Sequence, residues 1–138
     1  FEVRFNTSFN AVMTACSNTL RLDENNNPAG TWISPKMIEA YCELNRLGYA
    51  ICMESWLDNK LVGGCYGIKI GHMFYGESMF HHVTDASKIA FAHLVQHLQE
   101  QGVEMIDCQM KTPLLTSFGG REIPREDFMR QLLKLIEF

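Results

Sequence analysis

Polar and apolar positions alternate over residues 2–6 (EVRFN), which predicts a short strand at the start of the chain. Thr7 or Ser8 then offers an N-cap for a helix running to about Cys16. Residues 23–30 (DENNNPAG) are turn-formers throughout and predict a loop. Ser34-Pro35 has the order of an N-cap followed by the first helical residue. The helix after it places Met37, Ala40, Tyr41 and Leu44 on one face and stops at Gly48. Three strand-like runs come next and predict a meander: 49–57 closing on Asp58-Asn59, 61–70 closing on Gly71-His72, and 73–80. Phe91, Leu94, Val95 and Leu98 recur at helical spacing within 85–101, and Gly102 ends that run. Residues 103–109 (VEMIDCQ) predict another strand and Thr116 to Gly120 a small-residue loop. Pro124 starts a last helix whose apolar positions include Phe128, Leu132 and Ile136.

The resulting order, β-α-α-β-β-β-α-β-α, predicts an α/β (α+β) domain with a mixed central sheet flanked by helices. It is the order of the acyltransferase fold of the Gcn5-related N-acetyltransferases. The strand–helix–strand near the end then predicts a right-handed parallel crossover. Glycines at 63, 64, 67 and 76 fall inside strand-like runs. There they point to bulges or to close approach of a ligand.

Length and composition narrow the picture without changing it. The chain has 138 residues, 46% hydrophobic and 20% charged, the size and balance of one soluble globular domain spanning residues 1–138. No apolar run approaches the ~20 residues of a membrane span, and no secretory signal is visible. The five cysteines (Cys16, Cys42, Cys52, Cys65, Cys108) are odd in number and form no CxxC pair. That argues against a disulfide framework or a zinc knuckle and fits a reducing cytoplasm. The net charge of −4 disfavours broad phosphate contact, so nucleic acid would be gripped at the end of a strand. The opening at Phe1 instead of Met leads us to expect that an upstream part was removed or never included.

Several stretches together resemble the leucyl/phenylalanyl-tRNA–protein transferase family. They are GTWISPKMIEAYCELNRLGYA at 30–50, LVGGCYGIKIG at 61–71, GESMF at 76–80, ASK at 86–88, IDCQ at 106–109 and SFGGREIPREDF at 117–128. Each piece alone is weak, but GESMF followed by ASK and then IDCQ is specific. The resemblance implies an aminoacyltransferase that moves leucine, phenylalanine or methionine from aminoacyl-tRNA to proteins beginning with arginine or lysine. The product is thereby marked for degradation through the N-degron pathway. It also implies that the family's separate N-terminal domain is absent from this sequence.

The implied reaction is aminolysis of an ester by an α-amine. The ester is already activated, so the resemblance implies no cofactor, no metal and no covalent enzyme intermediate. An amine with a pKa near 8 is partly neutral at pH 7, and positioning supplies much of the acceleration. Asp107 and Gln109 lie two apart on a predicted strand, so both point to one face. The resemblance puts them at the catalytic positions, Gln109 orienting the amine and Asp107 holding Gln109. From the strand alone, a turn cap and a plain polar residue read as well. Glu77, placed on one face with Tyr75 and Met79 by strand alternation, suits a cationic substrate end or a group on the adenosine; the alternative is a surface glutamate on an edge strand, which an acid in the middle of an apolar run argues against. By resemblance Cys65, Phe74, Met79, Leu94, Leu98 and Ile106 line an apolar cavity for the transferred side chain, although the pattern alone makes all six ordinary core. Phe74 and Met79 have opposite strand parity, so they share a cavity only if a bulge lies near Gly76. Trp32 is implied to stack on the terminal adenine, or else covers the core edge. Trp56 reads as packing.

His93 and His97 are four apart on a helix, but no third ligand is evident, so they read as solvated side chains. Asn45 and Leu114 stand where the family usually has histidine, and Ile51-Cys52 where it usually has histidine-serine. Two other classes remain open. A coenzyme A-dependent N-acetyltransferase needs a glycine-rich pyrophosphate loop before its central helix, and residues 80–87 contain no glycine and do contain Asp85. A non-catalytic module would use the same pocket to bind protein N-termini or an aminoacyl group.

Overall fold

The computed structural model describes residues 1–18, 33–107 and 123–136, with the backbone of two short strands at 21–22 and 28–29. The elements in chain order are β1 (Glu2–Phe5), α1 (Phe9–Ser17), β2 (Arg21–Leu22), β3 (Pro28–Ala29) and α2 (Pro35–Arg46). They continue with β4 (Ala50–Leu57), β5 (Lys60–Ile70), β6 (Met73–His81), α3 (Ala86–Glu100), β7 (Met105–Asp107) and α4 (Arg125–Leu135). Among the described residues a mixed five-stranded sheet runs β1-β4-β5-β6-β7. Its pairs are antiparallel except β6–β7, which is parallel, as expected where α3 makes the crossover.

Local chemistry explains most boundaries. The Ser34 hydroxyl accepts from the Met37 amide at 3.2 Å, with Pro35 opening α2. Asp58 and Asn59 both take positive φ (52° and 63°), as a tight hairpin turn of the mirror-image type requires. Gly71, at φ +58°, has a second constraint. A Cβ there would lie 2.4 Å from the Leu135 carbonyl oxygen, where α4 ends and the His72 amide donates to that same oxygen.

Three expectations need correction. Pro28–Ala29, inside the predicted loop at 23–30, pairs antiparallel with Arg21–Leu22. A two-residue ladder is too short to leave a periodicity. Ser8 is the N-cap residue of α1, yet its side chain accepts no capping bond. The carboxylate of Glu54 instead accepts from the Thr7 and Ser8 amides, each at 2.7 Å. Ala40 is exposed, and Ile38 and Cys42 join Met37, Tyr41 and Leu44 against the sheet.

The sheet separates two clusters. On one face α1 and α2 cover Ala50, Cys52, Tyr66 and Phe80 with Phe9, Val12, Met13 and Cys16. On the other, α3 brings Ala90, Phe91, Leu94 and Leu98 against Ile51, Met53, Cys65 and Phe74.

Candidate active site

The pairing of β5 with β6 slips at one place. Tyr66 faces Ser78 and Gly67 faces Gly76, so Glu77 is one extra residue in β6. This is the bulge that the opposite parity of Phe74 and Met79 requires. Residues directly opposite each other share a face. Met79 opposes Cys65, and both meet Phe74 in the α3-side cluster. Leu94 and Leu98 belong to the same cluster, and Ile106 packs against it. All six candidate cavity residues are thus together on one side of the sheet.

The bulge also overturns one reading. Strand alternation put Tyr75, Glu77 and Met79 on one face. Across the extra residue the alternation inverts, so Tyr75, opposite Ile68, faces α1 and α2 while Met79 faces α3. Asp107 stands opposite Tyr75 in the parallel pair and therefore faces α1 and α2, back to back with Ile106. The acid and the apolar cluster lie on opposite faces and meet at the strand margin. There the position of a Cβ on Gly76 would come within 3.5 Å of the Asp107 carbonyl. Gln109 and Trp32 lie outside the described residues, as do Leu114 and the loop at 116–120.

The electrostatics tie the acids to two tyrosines that the sequence pattern treated only as face residues. Burial raises the Tyr41 hydroxyl above its ordinary pKa, and the charge of Glu77 adds to the rise. Burial likewise raises Tyr75, with Asp107 adding to it. Tyr75 and Asp107 are both half-buried, as are Tyr41 and Glu77, so the charge of each acid at its tyrosine is only partly screened. Tyr66 lies deeper in this face, with edge contacts to Phe9 and Tyr41 at ring-centroid distances of 5.7 and 6.0 Å.

Sequence reasoning missed the most completely buried acid. Glu54 has no exposed surface and accepts from the Thr7 and Ser8 amides, the Thr7 hydroxyl, the Trp56 indole at 3.0 Å and the Cys52 thiol at 3.2 Å. Burial is the largest influence and acts upward. The bonds from Thr7, Trp56, Ser8 and Cys52 together outweigh it and hold the carboxyl below its usual range. The signal was available: an acid inside the apolar run AICMESWL is as unusual as Glu77 in its own run. The same corner absorbs two departures from the family pattern. Asn45 donates to the Asn6 side chain at 2.7 Å and to the Ala50 carbonyl at 2.9 Å, and the Cys52 amide donates to that same Asn6 oxygen.

His93 bonds the Ile89 carbonyl of its own helix, and His97 stacks on Phe5. Among the described residues no three His, Cys, Asp or Glu side chains gather as a metal site, and no helix is long and apolar enough to cross a membrane.

By architecture the chain has the fold of the Gcn5-related N-acetyltransferases. A predicted acetyltransferase with acetyl-CoA from Clostridium acetobutylicum superposes with a TM-score of 0.62 at 8% identity, covering 90% of this chain and 92% of that one. An aminoglycoside N-acetyltransferase in complex with CoA gives 0.62 at 11%, covering 90% of each chain. The family itself is narrower: residues 1–133 match the model of the leucyl/phenylalanyl-tRNA protein transferases, and the chain belongs to that family. Leucyl/phenylalanyl-tRNA–protein transferases from Nitrosospira multiformis and Dechloromonas aromatica are 50% and 54% identical to it, over 100% and 98% of this chain. The chain spans 57% and 56% of those two relatives' lengths.

Proposed function

We propose that this chain carries the transfer chemistry of its family. It moves leucine, phenylalanine or methionine from the 3′-terminal adenosine of aminoacyl-tRNA to the α-amine of proteins beginning with arginine or lysine. The modified proteins then enter degradation through the N-degron pathway, in the cytoplasm. The observation that carries the reading is the bulge at Glu77. It turns Phe74 and Met79 to the same side, where Cys65, Leu94, Leu98 and Ile106 complete an apolar surface suited to a leucyl or phenylalanyl side chain.

In this reading the ester carbonyl sits at the bulge, between the apolar cluster and the acidic face. Asp107 biases the local potential and holds Gln109, which orients the attacking amine by accepting from it. Glu77 attracts the cationic residue that begins the acceptor, and Trp32 stacks on the adenine. The amine arrives with a neutral fraction of roughly a tenth or more at pH 7. Its excess proton leaves through a ribose hydroxyl or water, because a glutamine carbonyl is too weak a base to keep it. The acceleration comes from positioning and from preorganised polar groups.

The coenzyme A reading draws support only from fold likeness. The first turn of α3 lies directly against β5, with Asp85 as its N-cap in the left-handed conformation. A glycine-free turn that ends on an acidic N-cap residue does not suit a pyrophosphate, which needs free amides and no like charge.

The test is to incubate the full-length protein with charged tRNA and an arginine-starting peptide and to weigh the peptide. A gain of one leucyl or phenylalanyl residue is expected. Peptide binding with no product at any concentration would overturn the transfer reading in favour of a binding module.

A further inference from the structure

The α3-side cluster is half helix and half sheet, so its dimensions depend on how closely α3 approaches β5. One residue of α3 is held from two directions. Ala86, the first residue of the helix, is fully buried. Ser55 on β4 and Gly63 on β5 are cross-strand partners. The Ser55 hydroxyl, itself fully buried, donates to the Ala86 carbonyl at 2.7 Å. Gly63 offers no side chain, and the helix occupies the vacancy. A Cβ on Gly63 would stand 2.4 Å from the Ala86 Cβ, 2.7 Å from its carbonyl carbon and 2.9 Å from the Ser87 amide nitrogen. Carbon atoms in contact normally stand ~3.5–4.0 Å apart, so no side chain fits there unless α3 moves. The pair sits beside a second irregularity. The β4–β5 register slips between Ser55 and Trp56, leaving Val62 as the extra residue just before Gly63.

We propose that Ser55 and Gly63 are positioning residues that set the width of the aminoacyl pocket by clamping the first turn of α3 to the sheet. The inference rests on the transfer reading above and deepens it. Ala90 and Leu94 follow Ala86 one and two turns along α3, and both lie in the cluster. A retreat of the first turn therefore moves the near wall away from Cys65 and Met79. The clamp touches neither substrate nor reacting atoms, and its effect on chemistry passes entirely through the helix. A close clamp favours the smaller side chain, and loosening it favours the larger.

The test uses the full chain in a competition assay, with leucyl- and phenylalanyl-tRNA supplied together and both products weighed. Gly63→Ala should raise the Phe:Leu product ratio about tenfold, the low end of what one methylene is worth in an apolar pocket. Ser55→Ala, which removes the tether without adding bulk, should move the ratio the same way by less. It keeps the proposal testable if Gly63→Ala does not fold. Gly48→Ala is the matched control. Gly48 has φ +91° with nothing within 4 Å of an added Cβ, so substitution strains the backbone without touching the cluster. It should lower Tm and leave the ratio alone. An unchanged ratio in Ser55→Ala, or a Gly48→Ala shift as large as that of Gly63→Ala, would overturn the clamp. Absence of transfer by the unmutated chain would instead overturn the functional reading on which it rests.

Discussion

The two faces of the sheet do different work with the same strands. The face toward α1 and α2 adds directed bonds and charge to its apolar cluster: the carboxylate of Glu54 collects five donors, and Tyr41 and Tyr75 feel the charges of Glu77 and Asp107 respectively. The face toward α3 carries aliphatic, aromatic and thiol side chains packed around Phe74 and Leu94, with the Ser55–Ala86 bond at one end. Directed bonds fix where atoms sit, which suits orienting an amine and an ester. Shape sorts by volume, which suits choosing one apolar side chain over another. The bulge at Glu77 is where one regime passes into the other.

The sharpest way to break this division is on the polar face. Asp107→Ala should lower the transfer rate about a hundredfold, the lower range for loss of one preorganised polar group, with little change in Tm. Single-turnover kinetics with excess enzyme would measure it, and a wild-type rate would remove Asp107 from the chemistry.

Next in size is Glu54→Ala. It takes the acceptor from the Thr7 and Ser8 amides and the Trp56 indole, whose bonds are partly buried, and should cost about 3 kcal/mol in urea unfolding. A cost below 1 kcal/mol would mean that water replaces the carboxylate and that the bonds carry little.

On the apolar face, Met79→Ala should alter which amino acid is transferred by about tenfold while the rate with the preferred one falls less. Equal loss for leucine and phenylalanine would remove Met79 from sorting.

The smallest effect is a pH dependence of the polar face alone. The folded-state pKa of Glu54 lies below its ordinary value of about 4.3, so the stability it contributes is fully present above that value. It is lost as pH falls through the lower folded value. The urea midpoint should hold from pH 7 to about pH 5 and drop below about pH 4, more steeply than in Glu54→Gln. Parallel curves would place the acid sensitivity elsewhere.

The legible parts of the fold were those written in local chemistry. Ser34-Pro35, Asp58-Asn59 and the helical spacing of Phe91, Leu94 and Leu98 each act within a few residues, and each gave its element. The parity conflict between Phe74 and Met79 even placed the bulge. The inversion that the bulge imposes on Tyr75 depends on the register with β5, which alternation along β6 alone does not record. Glu54 shows as an acid inside an apolar run, but its donors at Thr7 and Ser8 are 47 and 46 residues away in the chain, and no local pattern records them. The clamp on Ala86 joins three separate elements and leaves only a serine and a glycine as its trace.

The proposed transfer puts the transferred side chain in the α3-side cluster and its carbonyl at the bulge. A structure of the full-length protein with a non-hydrolysable phenylalanyl-adenosine analogue tests it directly. The phenyl ring should lie between Phe74, Met79, Leu94 and Leu98, with the carbonyl beside Gly76 and Glu77. A ring lodged beneath α1 and α2, among Tyr41, Tyr66 and Tyr75, would contradict it.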